Sequence, residues 1–238
     1  FSIQPAEIIK LTIIIFLSSI LSKNKSNINK FKNVLLYLTC IVLTFFLIML
    51  QPDFGTGLVF VLASLLVLFA SGISIKYFLI LGIIGIIGVV FLIASAPYRI
   101  ERIFAFLNPW NDPLGSGFQA IQSLFAIAPS GIFGLGFNNS MQKHFFLPEP
   151  QNDFIFAIVC EEFGLIGGLI LIGAFLYIII RLLVISTKVE DNRYKLTLVG
   201  VASLLFVQVF INIGVVIGLL PVTGITLPII SYGGSSLI

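Results

Sequence analysis

FGTGLVFVLASLLVLFASGISI, residues 54–75, runs for 22 residues without a charged side chain. A helix rises about 1.5 Å per residue and the bilayer hydrocarbon is about 30 Å thick, so such a stretch has the length of one crossing. Comparable runs recur at 33–52, 77–98 and 163–180, and in the tail after Lys195; a shorter one, 8–21, carries Lys10 near its start. In lipid every backbone amide must find its partner inside the protein, which leaves helices as the reading for segments this long. The pattern predicts an all-α, polytopic transmembrane helix bundle, one domain over 1–238. It has six full spans and the opening of a seventh after Pro228, since the tail gives room for two.

Composition leads to the same class. Hydrophobic residues make up 58% and charged residues 10%, against roughly 45–50% and 25% for soluble domains. That excess of apolar surface cannot be hidden inside a water-soluble globule of 238 residues.

The basic residues orient the spans. Lys23, Lys25, Lys30, Lys32, Lys76, Arg181, Lys188, Arg193 and Lys195 occupy alternate connections, which the positive-inside bias places in the cytoplasm. Glu7, Asp53, Glu101, Asp112, Glu149, Asp153, Glu161 and Glu162 all fall on the other side. The chemistry therefore faces outward. Cysteines introduced at positions 26 and 190 are expected to label from the cytoplasm and one at 139 from outside; labelling of 139 only from inside reverses the orientation.

The net charge of +3 comes from the cytoplasmic connections and makes no case for nucleic acid. Cys40 and Cys160 lie within or near spans and read as small packing residues, not as a disulfide or thiolate ligands. The chain starts at Phe1 and stops at Ile238 as a span is opening, which reads as a piece of a longer protein truncated at both ends.

Between the fourth and fifth spans lies a long extracytoplasmic loop, 97–152, far longer than the usual connection and so expected to be functional. Within it a turn forms at Asn111-Asp112-Pro113, and Phe118–Ala128 reads as a short amphipathic helix bearing Gln119, Gln122 and Ser123. Gly131, Gly134 and Gly136 permit tight turning before Lys143. Arg99 and Arg102, three apart, share one face if the preceding span continues helically; they fit either a phosphate clamp or the interfacial anchoring of a helix end. Gly82, Gly85 and Gly88 read as a close-packing helix face. His144 has no second ligand near it in sequence.

The stretch LPEPQNDFIF, 147–156, followed by Glu161-Glu162, places carboxylates at the mouth of the fifth span. Asp153 suits both a helix N-cap and a catalytic acid or base. An ionised group at membrane depth costs about 2.5–3.5 kcal/mol, so Glu161 or Glu162 must meet a polar cavity or a partner. Glu7 and Lys10, spaced i, i+3, allow either an ion pair or a substrate contact.

Several separated motifs occur in order along the chain: QPAEIIK (4–10), QPDFGTG (51–57), NPW (108–110) with DPL (112–114), Gln142-Lys143 with LPE (147–149), NDFIF (152–156), and Leu220-Pro221 through SYGGSS (231–236). Together they resemble the SEDS family (FtsW/RodA/SpoVE). GITLP (224–228) is closer to the FtsW and SpoVE branch, since RodA more often has proline where Thr226 stands. Ala6 and Asn152 depart from the serine and threonine usual at those positions.

The resemblance implies ten transmembrane helices in the intact protein and a peptidoglycan glycosyltransferase activity. In that reaction the 4-hydroxyl of one lipid II disaccharide attacks the anomeric carbon of another and expels undecaprenyl pyrophosphate. It makes Asp153 the catalytic residue. Arg99, Arg102, Lys143 and Lys10 become candidate substrate-binding cations, Glu7 orients Lys10, and Gln122 and Glu149 are further substrate contacts. A divalent cation, Mg or Mn, is compatible with such a site. The implied partners are a class B penicillin-binding protein and other divisome or elongasome proteins, in the bacterial cytoplasmic (inner) membrane. The alternative classes are a lipid II flippase or transporter, which needs polar groups through both leaflets, and a scaffold, which does not need Asp153.

Overall fold

The computed structural model describes residues 4–51, 53–95, 97–145, 147, 148 and 150–232, with the side chains at 89, 92, 94, 97–99, 102, 144 and 145 outside that description. Those residues form an all-α protein without strands: α1 (Pro5–Lys23), α2 (Phe31–Met49), α3 (Phe54–Ala70), α4 (Ile75–Ala94), α5 (Pro97–Leu107), α6 (Phe118–Ile127), α7 (Met141–Phe145), α8 (Ile155–Lys188) and α9 (Asn192–Val216). By length and composition α1, α2, α8 and α9 are long and apolar enough to cross a membrane. Phe54–Ala70 and Ile75–Gly88 are shorter apolar stretches.

The chain divides into two compact units. The first comprises Phe1–Leu81 with Phe175–Gln208. Its helices bury residues at helical spacing: Ala6, Lys10, Ile14, Leu17 and Leu21 on α1, and Val34, Tyr37, Ile41, Thr44 and Ile48 on α2. Contacts there are close. A Cβ on Gly57 would come within 2.9 Å of the Phe45 ring, and one on Gly200 within 2.3 Å of Ile14. The opposite faces are equally apolar and exposed, Leu43, Phe46 and Leu47 on α2 among them, as a lipid solvent requires. Asp53 caps α3 by accepting the Thr56 amide at 2.9 Å.

The second unit comprises Gly82–Ala174 with Val209–Ile238. The long connection folds here as α5, a turn of 3₁₀ helix at Pro109–Asn111, the expected amphipathic α6, and α7. Asp112 organises the turn before α6, its carboxylate accepting the Gly115 and Ser116 amides and the Ser116 hydroxyl. The Ser116 amide, then its hydroxyl, hold this carboxyl below the usual carboxylate range. Ser123 on α6 donates to the Val216 carbonyl at 2.7 Å, tying that helix to the end of α9.

Three expectations are corrected. The run 77–98 is not one helix: α4 ends at Ala94 and α5 begins at Pro97, so Arg99 and Arg102 stand on a separate helix. A proline lacks the amide and clashes with the preceding turn, so it opens helices more readily than it continues them. Among the described residues of the tail only α9 is helical; 217–232 is turn and irregular chain, with Gly218 and Gly224 at φ +75° and +72°. The opening of a seventh span beyond Tyr232 lies outside the described residues. Finally, Gly82, Gly85 and Gly88 have no close-packed neighbour among the described residues, for a Cβ at each would meet none of their atoms within 4 Å.

Candidate functional site

Asp153 sits half-buried in the turn formed by residues 151–154, directly before α8. Phe154, not Asp153, immediately precedes the first helical residue, and its carbonyl accepts the Ala157 and Ile158 amides. Three successive carbonyls of this turn are held from the C-terminal segment of the same unit. The Tyr232 amide donates to Gln151 at 2.8 Å, the Ser231 hydroxyl to Asn152 at 2.5 Å, and the Asn212 carboxamide to Asp153 at 2.7 Å. Ser231 also accepts the Leu227 amide, and Asn212 also donates to the Ile225 carbonyl at 2.6 Å. Opposite the carboxylate stands Gly224, where a Cβ would lie 3.5 Å from Asp153 Oδ2. The main chain of the turn is thus held at three carbonyls, and Asp153 Oδ2 lies within van der Waals reach of where a Gly224 Cβ would stand.

Two turns into α8 the helix breaks. Gly164 has φ +67° and ψ −163°, which interrupts the bonds that would join Glu161 to Leu165 and Glu162 to Ile166. The glycine-rich loop replaces them. Glu161 and Glu162 carbonyls accept the Leu135 and Gly136 amides at 2.9 and 3.0 Å, and the Leu165 and Ile166 amides donate to Gly131 and Ile132 at 3.0 and 3.3 Å. Each group freed by the break therefore has a partner, as backbone in an apolar environment must.

The same junction settles the two buried acids. Glu161, 2% exposed, accepts from the Ser140 hydroxyl at 2.5 Å and from the Met141 and Gln142 amides at 3.0 and 3.3 Å. Ser140 in turn accepts the Lys143 amide, so Glu161 and Ser140 together close the start of α7. Glu162, 5% exposed, lies 3.6 Å from the Lys143 ammonium, which also donates to Asn138 at 3.2 Å. Lys143 is therefore a half-exposed cation already neutralised on one side.

The other candidates distribute as follows. Gln122 lies partly buried on α6, and the Arg99 and Arg102 positions share α5, all within the second unit; the arginine side chains and Glu149 lie outside the described residues. Glu7 and Lys10 belong to the first unit and pair with each other at 2.8 Å, Lys10 being almost fully buried. A cavity of about 340 Å³, lined by Phe106, Trp110, Leu124, Val215 and Leu220, opens between the long connection and the segment after α9. Among the described residues no three His, Cys, Asp or Glu side chains stand close enough to hold a metal ion. Sequence reasoning missed Asn212 and Ser140. A lone amide in an apolar helix and a serine before a short helix were the only signals, and both have bland readings.

The profile of the FtsW/RodA/SpoVE family, described as "Cell cycle protein", matches residues 1–238. Stage V sporulation protein E of Bacillus subtilis is 52% identical over 238 residues, covering all of this chain and 65% of that protein. A probable peptidoglycan glycosyltransferase FtsW of Coxiella burnetii is 41% identical over 241 residues, covering 100% of the chain and 65% of that protein. Among solved structures, one described as "Structural coordination of polymerization and crosslinking by a peptidoglycan synthase complex" superposes with a TM-score of 0.76 at 33% identity, covering 100% of this chain and 66% of that one. The rod shape determining protein RodA of Thermus thermophilus gives 0.66 at 27% identity, with 100% and 61% covered. The chain thus spans just under two thirds of the relatives it matches.

Proposed function

This chain belongs to the FtsW/RodA/SpoVE family of cell cycle proteins and is a multi-pass membrane protein; from that premise we propose that it polymerises lipid II into glycan strands at the outer face of the bacterial cytoplasmic membrane. The observation that carries this reading is the Asp153 turn, whose carbonyls are bonded at 151, 152 and 153 while its carboxylate faces Gly224. A base that must take a hydroxyl proton in the transition state works best when its position is set beforehand.

In the proposed reaction Asp153 accepts the proton of the 4-hydroxyl of one disaccharide as that oxygen attacks the anomeric carbon of a second. The bond to undecaprenyl pyrophosphate breaks and the anomeric centre inverts. The leaving group departs as a stable anion and asks for cations more than for an acid. Arg99, Arg102 and Lys143 fill that role, while Lys10, buried against Glu7, acts through the Glu7–Lys10 pair. Similarity to a peptidoglycan synthase complex supports a class B penicillin-binding protein as partner, and the sporulation and division relatives support that branch of cell-wall synthesis.

The test is direct: the full-length protein with its penicillin-binding protein, supplied with lipid II, is expected to yield glycan strands, and none formed by a folded complex defeats the reading. Within it, Arg99→Lys keeps the charge and loses the planar fork. It is expected to cut kcat/KM by about tenfold or more, because a charge-assisted bond is worth about 1.5–3 kcal/mol. Lys143→Ala strands the buried Glu162 and is expected to lower membrane levels as well, whereas Lys143→Arg keeps the pair. Full activity of alanine variants at 99, 102 and 143, at normal membrane levels, dismisses the cation role.

A further inference from the structure

We propose that Asn212 is a positioning residue for Asp153, fixing the spacing between the turn that carries the carboxylate and the 224–225 segment that faces it. This inference rests on Asp153 being the base of the proposed reaction.

Asn212 is 1% exposed on the apolar helix α9. Its Nδ2 donates to two carbonyls, Asp153 at 2.7 Å and Ile225 at 2.6 Å, from segments 59 and 13 residues away. Both partners can only accept, so the orientation of the amide is determined: nitrogen toward the carbonyls, oxygen away. The oxygen is then left buried without a hydrogen-bond partner. A leucine, with the same branched shape, carries no oxygen to bury, so packing alone does not account for the amide.

Geometry supplies the account. One N–H holds the carbonyl of Asp153 itself, and the other holds Ile225, the residue after the Gly224 whose Cβ position lies 3.5 Å from Asp153 Oδ2. The carboxamide is therefore a strut across the slot in which the carboxylate stands. Ser231 and the Tyr232 amide hold the two preceding carbonyls, but neither spans that slot. With the strut removed, the Asp153 and Ile225 carbonyls lose this shared donor and the slot is free to change width. A displacement of about 1 Å at a reacting group is enough to cost about a hundredfold in rate.

The experiment uses the full-length protein with its penicillin-binding protein partner and labelled lipid II. Asn212→Leu is expected to lower kcat by about ten- to a hundredfold with KM for lipid II within about twofold, because the residue touches the base and not the substrate. Hydrogen exchange gives a readout independent of substrate: amides of the 151–158 segment should exchange at least about tenfold faster while α1 and α2 are unchanged. Should Asn212→Leu fail to accumulate, Ser231→Ala removes the neighbouring anchor. It is expected to accelerate exchange in the same segment and to lower kcat severalfold at constant KM. A kcat per folded molecule within about twofold of wild type, a loss expressed only in KM, or unchanged exchange at 151–158 overturns the proposal. If the wild-type complex makes no strands, the polymerase reading fails by itself, and the exchange experiment still decides whether Asn212 holds the turn.

Discussion

Asp153→Asn is expected to abolish glycan polymerisation by the full-length complex while leaving its folding and its partner intact. The structure explains why the two effects separate. The bonds to the Gln151, Asn152 and Asp153 carbonyls are accepted by the main chain of the turn and are available to the asparagine variant as well. Asparagine also matches aspartate in size, so the 3.5 Å spacing toward Gly224 is unaltered. What disappears is the acceptor for the sugar hydroxyl proton, since an amide is not basic at neutral pH. General-base catalysis contributes about 10²- to 10⁴-fold, so the residual rate should fall by at least about a hundredfold. Two measurements check this: strand formation from lipid II, and co-purification of the penicillin-binding protein with the variant. Wild-type polymerisation by Asp153→Asn would remove the base and with it the mechanism; lost co-purification would show that the residue is structural.

The helical core was legible because lipid imposes a simple pattern on sequence: the long apolar runs reappear within α1 to α4, α8 and α9, four of them helices long enough to cross a membrane. Interruptions were not legible, because what sustains them is tertiary. Gly164 lies inside an apolar run and reads as an ordinary small residue of a span; its break exists because residues 131–136 supply partners from a loop some thirty positions earlier. Likewise the sequence shows Glu161 and Glu162 as acids inside the fifth span that must meet a polar cavity or a partner, but not which partner. Ser140, two amides and Lys143 supply those partners to α8, and all of them come from the preceding loop. Pro97 did carry a local signal for the end of α4, and the apolarity of 77–98 outweighed it in the sequence reading. At the site, Asp153 was singled out by the family motif around it, and the i, i+3 spacing of Glu7 and Lys10 allowed the ion pair that the structure forms. Asn212 could not be found that way, because its partners come from two distant segments and its neighbours are all apolar.

Gly164→Ala tests whether the broken helix is a requirement of the fold. Alanine at φ +67°, ψ −163° occupies a region open almost only to glycine, at a cost of about 1–3 kcal/mol. Space adds to conformation: the new Cβ would lie 2.3 Å from the Ile132 carbonyl oxygen, which is backbone and cannot rotate aside. Relief requires the loop to withdraw, and withdrawal leaves the carbonyls of Glu161 and Glu162 and the amides of Leu165 and Ile166 without donors or acceptors. The combined loss should exceed about 3 kcal/mol, enough to deplete the folded protein from the membrane. Gly134→Ala faces the mirror-image contact, 2.3 Å from the Glu162 oxygen at φ +77°, and should behave alike. Gly173→Ala, on the same helix with nothing within 4 Å of its Cβ, is the control and should accumulate at wild-type levels. Thermal unfolding in detergent and membrane abundance are the measurements. If Gly164→Ala melts with the control, the break is incidental, and the loop's hold on Glu161, Glu162 and Lys143 is not what keeps that side of the site in place.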